Sequence, residues 1–308
     1  MQHSAEVFRR AQPIAARRGS PVLFVPRASG TRLSREERRA RLGRVVVDAN
    51  ELSGTAAAVQ LVARDGGVVC ELSAADLATL DLYRLEPVRR PSSYKGMKNF
   101  IGLYTSRRGP AWHHVWAESL LELAHLREIE FAGQAVELVT QAIQMKWRVQ
   151  GAEWSHFPDF LMRDTSGELI LVDITRQEKL AHDRDLQNLL ALTLRTCEML
   201  GIRYEIGVEL DRQRTINLSY LCGFRDIPID LEGRIADVVA HLPRRTSLWA
   251  VALMGGGGPE GRAIAAHLLW KQEISLDLSA AIHEHTRVTC APPIGSAIPV
   301  RRPGREVL

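Results

Sequence analysis

Along the chain, apolar positions recur in two rhythms, and the switches between them mark out the expected elements. From Val45 to about Leu85, short apolar runs (RVVVDA, AAVQLVA, GGVVCEL) alternate with turn signals such as Asp65-Gly66-Gly67, predicting a small β-rich unit. In WAESLLELAHLREIEF the rhythm becomes helical. Leu120, Leu121, Ala124 and Leu126 supply an apolar face, while Glu118 and Glu122, four apart, share another side. VELVTQAIQMKWRV then reads as one or two strands. HFPDFLMRDTSGELILVDIT reads as a hairpin, with strands from Asp159 to Met162 and from Glu168 to Thr175 about a turn at Asp164–Gly167. LAHDRDLQNLLALTLRTCEMLG predicts a long helix closed by Gly201, and IRYEIGVEL a further strand. Helix, strands, helix, strand is the order of an α/β core.

After Asp211 the pattern shifts to short helices (TINLSYLCGF, LEGRIADVVAHL, PEGRAIAAHLLWKQ) and a β-like stretch, EISLDLSAAI. That suggests a helical or winged-helix accessory domain. The glycine run 255–258 lacks a Gly-Lys-Ser/Thr and so fails as a nucleotide loop; it reads as a flexible linker before a helix. At roughly 150 residues per domain, 308 residues suggest about two domains. The expected layout is a basic arm (1–44), the β-rich unit (45–86), an α/β domain (87–211) and a C-terminal domain with a basic tail (212–308).

Composition is ordinary for a globular protein, at 45% hydrophobic and 25% charged. Neither a membrane-spanning run nor a secretory leader is expected. Cys70, Cys197, Cys222 and Cys290 are widely spaced with no C-x-x-C pair, which favours buried thiols in a reducing, cytoplasmic setting. Charge is uneven. Residues 1–44 hold eleven arginines against Glu6, Glu36 and Glu37, within a chain whose net charge is only +4. A basic arm on a near-neutral body suits either a polyanion partner or a solvated tail. Residues 87–117 contain Arg89, Arg90, Lys95, Lys98, Arg107 and Arg108 among Tyr94, Phe100, Tyr104, Trp112 and Trp116, without one Asp or Glu. Cations interleaved with aromatic rings suit phosphate contact and base stacking, so this stretch is the expected DNA-binding surface.

Three carboxylates carry the candidate chemistry. Glu122 sits on a helix, Asp159 at the start of a strand and Asp173 within the next strand; on that strand Asp173 and Thr175 share a face. A hairpin that sets Asp159 beside Asp173 offers hard oxygen ligands suited to Mg²⁺ or Mn²⁺, which polarise a phosphodiester and activate water. Asp173 is the most informative, because a carboxylate inside ELILVDIT is costly to bury unpaired. Nucleophilic side-chain catalysis has no support: there is no Gly-x-Ser-x-Gly and no Cys–His dyad. His113-His114 and His283/His285 lack metal-ligand spacing with any cysteine.

The order E…PD…D-x on a helix–hairpin–helix pattern resembles the restriction-endonuclease-like nucleases. More closely, RRPSSYKG, WAESLLELAHLREIEF, QAIQMKW, HFPDFL, LVDIT and AIAAHLLWKQEISLDLSAAIHEHTRV resemble the TnsA family, the endonuclease subunits of heteromeric transposases. The likeness runs over roughly residues 87–290 and is tightest over 116–175. It implies Glu122, Asp159 and Asp173 as metal ligands, cleavage at transposon 5′ ends, a DDE-type partner transposase (TnsB-like) and an AAA+ regulator (TnsC-like). The family's lysine is replaced by Thr175, a neutral hydroxyl where a cation or base is expected. Lys179 and Lys146 are candidates to supply that charge, Arg176 being directed to the other face, and Glu118 is an alternative to Glu122. Two rival readings remain open: a scaffolding subunit that keeps the fold without the chemistry, and a stand-alone restriction or repair nuclease.

Overall fold

A computed structural model describes residues 60–65, 68–89, 100–106, 113–149, 152–228 and 231–290. The basic arm, residues 45–59, Arg90, Lys95, Lys98, Arg107, Arg108 and the basic tail lie outside the described residues. The chain is mixed α/β and divides into two compact units, Met1–Leu210 and Asp211–Leu308.

The first unit is built on two sheets. Strands β1 (Gln60–Asp65) and β2 (Val68–Leu72) form a hairpin, followed by helix α1 (Ala74–Thr79), a 3₁₀ turn (Leu82–Arg84) and the short β3 (Leu85–Glu86). β4 (Gly102–Ser106) and β5 (His113–Ala117) form a separate two-stranded ribbon leading into helix α2 (Leu120–Ala132). Then come β6 (Ala135–Thr140), the hairpin β7 (Ile143–Val149) and β8 (Ala152–His156), and the hairpin β9 (Phe160–Asp164) and β10 (Leu169–Ile174). Helices α3 (Gln177–His182) and α4 (Arg184–Leu200) lead to β11 (Arg203–Gly207).

One sheet has the order β11-β10-β9-β6, with β10 parallel to β11 and the other neighbours antiparallel. Helix α4 makes the crossover that a parallel pair requires. The other sheet has the order β2-β1-β7-β8, with β3 on β1. Residues 60–86 are therefore not a unit of their own: β1 pairs antiparallel with β7, Leu61 opposite Met145. The reason is burial. Leu61, Ala63, Leu72, Met145, Trp147, Leu171 and Leu192 belong to one apolar core shared by the two sheets and α4, so the amino-terminal strands cannot leave it without exposing it.

Local chemistry fixes the elements that frame this core. Helix α4 starts at Asp183, whose side chain accepts from Leu186 N at 3.1 Å, and stops at Gly201 in the left-handed region, φ 67°. The β9–β10 turn is held by Asp164 Oδ1, which accepts from the backbone of Ser166 (2.8 Å) and Glu168 (2.9 Å). That turn pins the register at Leu169–Arg163 through Val172–Phe160.

The second unit comprises α5 (Arg212–Leu221), a 3₁₀ turn (Cys222–Phe224), α6 (Glu232–His241), β12 (Arg245–Ser247), α7 (Leu248–Met254), α8 (Gly258–Trp270), β13 (Ile274–Ser275) and β14 (Arg287–Cys290). Its sheet has the order β12-β14-β13. Two expectations need correcting here. Of EISLDLSAAI only Ile274 and Ser275 form a strand, paired with β14. The glycine run is a tight interhelical turn: Gly256, Gly257 and Gly258 have φ of 95°, 70° and 59°, and a Cβ on Gly261 would strike the Ala252 carbonyl.

Candidate functional site

Glu122 is set by the first turn of α2. Ser119 is the N-cap, its Oγ accepting from Glu122 N at 3.1 Å. In return Glu122 Oε1 accepts from Ser119 Oγ (2.8 Å) and Oε2 from Glu118 N (2.8 Å). This reciprocal Ser119–Glu122 pairing, in which the carboxylate reaches the N–H of Glu118 rather than that of the N-cap itself, explains why S-x-x-E stands here and holds the Glu122 carboxylate against the helix end, 8% exposed. Glu118, just outside the helix, accepts on Oε2 from Arg89 Nη2 at 2.5 Å, while its Oε1 is buried with no hydrogen-bond partner among the described residues.

Asp159 and Asp173 face each other across the β9–β10 hairpin, one step beyond the Val172–Phe160 pair. Opposed positions in an antiparallel pair put side chains on one face. Asp159 Oδ2 accepts from Ile174 N at 2.7 Å. Asp173, 4% exposed, accepts from His156 Nε2 on both oxygens (2.9 and 2.8 Å) and from Tyr204 Oη at 2.5 Å. His156 ends β8 and Tyr204 lies on β11, so two strands distant in sequence converge on this carboxylate. Sequence reasoning missed both. His156 stands three residues before Asp159 in HFPDF, the one local signal that pointed to it.

The electrostatics tie these side chains into one cluster. Burial pushes the Asp159 carboxyl well above the usual carboxylate range; the charges of Glu122, Asp173 and Glu118 push the same way, and only the Ile174 N–H opposes them. Glu122 is raised by burial first and by Glu118, against its two capping bonds and Arg89. Burial and the Asp173 charge raise the Tyr204 phenol and lift the Cys197 thiol to about 12, so both stay protonated at neutral pH. Four carboxylates thus crowd one place, and each added negative charge makes the next harder to hold.

Cations are scarcer. Thr175 is buried on the face of Asp173, and its backbone N donates to Gly207 O at 2.9 Å. Lys179 is exposed on the short α3 and forms no hydrogen bond or ion pair to the cluster among the described residues. Lys146 lies opposite Ser155, whereas His156 lies opposite Met145, so Lys146 is on the sheet face turned away from the cluster. The structure therefore brings neither lysine into the role left vacant by Thr175. Among the described residues, Arg89 is a cation that touches the cluster, through Glu118. Its guanidinium bonds Glu118, approaches Gln141 Oε1 through Nε at 3.4 Å and lies 5.4 Å over the Phe157 ring centroid.

No group of three or more His, Cys, Asp or Glu among the described residues stands as a ready-made metal cage. The donor chemistry nevertheless fits a hard divalent cation. Glu122, Asp159 and Asp173 offer oxygens, the Glu118 oxygen is unsatisfied, and the mutual repulsion at Asp159 is what a cation relieves. No family model matches the chain, and no curated protein matches it. No helix among the described residues is long and apolar enough to cross a membrane.

Proposed function

We propose that this protein is a metal-dependent DNA endonuclease subunit of a heteromeric transposase, of the TnsA kind, hydrolysing phosphodiesters at transposon 5′ ends. The observation that carries the reading is the juxtaposition of Asp159, immediately before β9, with Asp173 on β10, and with Glu122 close enough to raise the Asp159 carboxyl. The order α2-β6-β9-β10-α4-β11 around a sheet β6-β9-β10-β11 supports a restriction-endonuclease-like core, into which β7–β8 is inserted. The order α6-β12-α7-α8-β13-β14 with sheet β12-β14-β13 supports a winged-helix-like C-terminal domain.

Glu122, Asp159 and Asp173 would hold Mg²⁺ or Mn²⁺, which when bound supplies Lewis acidity to a phosphodiester and lowers the pKa of water. The protein's own groups do the positioning. The Ser119 hydroxyl and the Glu118 N–H fix Glu122, the Ile174 N–H aims Asp159, and His156 with Tyr204 clamps Asp173, leaving little rotamer freedom to lose on binding. A TnsB-like transposase and a TnsC-like regulator are the proposed partners, with double-stranded transposon ends as the substrate.

The test is calorimetry of Mn²⁺ with a short duplex present, on wild type, Asp159→Ala and Asp173→Ala. Binding that vanishes in both variants is expected. A wild type that takes no ion would sink the enzyme. It would favour the second reading, a DNA-holding scaffold, for which Thr175 and the double occupation of Asp173 by His156 and Tyr204 speak.

A further inference from the structure

Resting on the nuclease reading above, we infer that Arg89 is the phosphate-gripping cation of this site, supplying from the β3–β4 connection the positive charge that Thr175 lacks. Its guanidinium is tied down on one edge, Nη2 to Glu118 at 2.5 Å and Nε to Gln141 Oε1 at 3.4 Å, and braced on one face by the Phe157 ring at 5.4 Å. Among the described residues Nη1 makes no hydrogen bond, and the side chain is 48% exposed. A guanidinium fixed on one edge and open on the other is prepared for a phosphate oxygen, because its planar fork loses little freedom when a second ligand arrives.

Its supports are the neighbours of the carboxylates themselves. Phe157 precedes Pro158-Asp159. Gln141 N donates to Asp159 O at 3.0 Å, and Val88 N donates to Gln141 O at 2.9 Å. Gln141 therefore links the backbone of Arg89's own segment to that of Asp159. It does so at φ 49°, in the left-handed region that non-glycine residues rarely enter, and it is 1% exposed. Burying a long polar side chain in that conformation is unfavourable for the fold alone. Its side-chain oxygen meets Arg89, and its backbone meets both Asp159 and Val88.

Lysine at the Thr175 position would project from β10 between the carboxylates. Arginine arriving from beyond β3 reaches the same cluster from the Glu118 side, where it already offsets part of the charge on Glu122. The role is that of substrate binding: a charge-assisted hydrogen bond to a phosphate oxygen, with no proton transfer, since a guanidinium does not deprotonate in proteins.

The experiment uses the full chain. Fluorescence anisotropy of a short labelled duplex in Ca²⁺ is followed across a salt series for wild type, Arg89→Ala and Arg89→Lys, beside Mn²⁺ calorimetry without DNA. Arg89→Ala is expected to weaken duplex binding by about tenfold and to flatten the log K against log salt slope by about 0.9, the value of one lost phosphate contact. Arg89→Lys should restore the slope and part of the affinity, and Mn²⁺ affinity should be unchanged or tighter in Arg89→Ala. If wild type binds Mn²⁺ but Arg89→Ala keeps full affinity and slope, the inference fails alone. If Arg89→Ala loses Mn²⁺ as Asp159→Ala does, Arg89 only braces the carboxylates and the inference also fails. A wild type that takes no Mn²⁺ even with the duplex present overturns the nuclease reading and this inference together.

Discussion

Asn217 in the C-terminal unit and Asp159 in the N-terminal one are both polar side chains withdrawn from water, yet their surroundings are opposite. Asn217 Nδ2 donates to Leu278 O and Ala280 O, both at 2.8 Å, and its Oδ1 accepts from Gln213 Nε2 at 3.1 Å. Nearby in the same unit, buried His267 bonds Phe224 O through Nδ1 at 2.7 Å. Each group has a complementary partner, and the result is structural glue for loops that carry little secondary structure of their own. Asp159 has one backbone donor and three like-charged neighbours. A fold gains nothing from gathering carboxylates in this way. The contrast separates polar groups buried with complementary partners from carboxylates gathered at an electrostatic cost that the proposed cation would relieve.

Breaking the satisfied side of the comparison has the largest effect. Asn217→Ala strands two backbone carbonyls and opens a small void, so the C-terminal unit should lose about 2–4 kcal/mol. Thermal melts followed by circular dichroism would show it; a loss below about 1 kcal/mol would mean that water replaces the amide.

On the other side the sign reverses. Asp159 is raised in the folded chain, so the native state holds its proton at pH values where the unfolded chain has released it. Stability from this group is fully present below the unfolded carboxylate range and is lost as pH rises through the folded value. Asp159→Asn should therefore stabilise at pH 7, by about 1 kcal/mol as for other relieved charge conflicts, with the gain fading in acid. Mn²⁺ at a hundred times its dissociation constant should raise wild-type stability by about 2.7 kcal/mol and leave Asp159→Asn unmoved. Destabilisation by Asp159→Asn at pH 7 would mean that the Ile174 N–H outweighs the repulsion.

Acidification sharpens the comparison further. Burial depresses the His267 imidazole, so below its usual range the unfolded chain takes up a proton that the folded one refuses. The C-terminal unit should weaken as pH falls from 7 toward 5, and His267→Gln should flatten that slope. His125, bonded through Nε2 to Val208 O and likewise depressed, adds the same trend to the N-terminal unit. The Asp159 contribution must thus be read from the difference between wild type and Asp159→Asn. A slope in the C-terminal unit that survives His267→Gln would assign it to other groups.

How much of this was legible in the sequence depends on how far apart the partners lie. The β9–β10 hairpin, α2 and α4 were readable because their signals are local: Asp164 and Gly167 in a turn, an apolar helical face behind the Ser119 N-cap, Gly201 at φ 67°. The opposition of Asp159 and Asp173 followed from the hairpin, and Asp173 announced itself as a charge in an apolar strand. Whatever depends on long-range pairing stayed hidden. β1 joins β7 across some eighty residues, Tyr204 reaches Asp173 from a parallel strand, and β12 and β14 find each other around two helices. Helix α7, LWAVALM, gave no period because it is short and its burial is uneven. Arg89 was legible as a basic residue, but its ties to Glu118, Gln141 and Phe157 belong to the folded state alone.

The smallest effect on duplex binding should come from Gln141, which belongs to both sides of the comparison: its backbone N–H and C=O and its side-chain oxygen are bonded, yet its backbone is strained. Glycine at this position enters the left-handed region without the Cβ clash, a gain of roughly 1 kcal/mol, and loses roughly 0.5–1 kcal/mol through greater freedom in the unfolded chain. Its backbone bonds to Asp159 and Val88 need no side chain. The void left by the buried amide adds a further cost, so Gln141→Gly should lose about 1–2 kcal/mol, less than Asn217→Ala. The amide that meets Arg89 Nε is lost, however, and the guanidinium keeps only Glu118 and the Phe157 ring. Duplex binding should fall about two- to fivefold, less than in Arg89→Ala, with the salt slope intact because the charge is still present. A variant that melts like wild type and binds DNA like wild type would show that Gln141 holds the turn alone. One that stays folded at the assay temperature but binds weakly would assign the buried amide to Arg89, and with it the cost of keeping a glutamine at φ 49°.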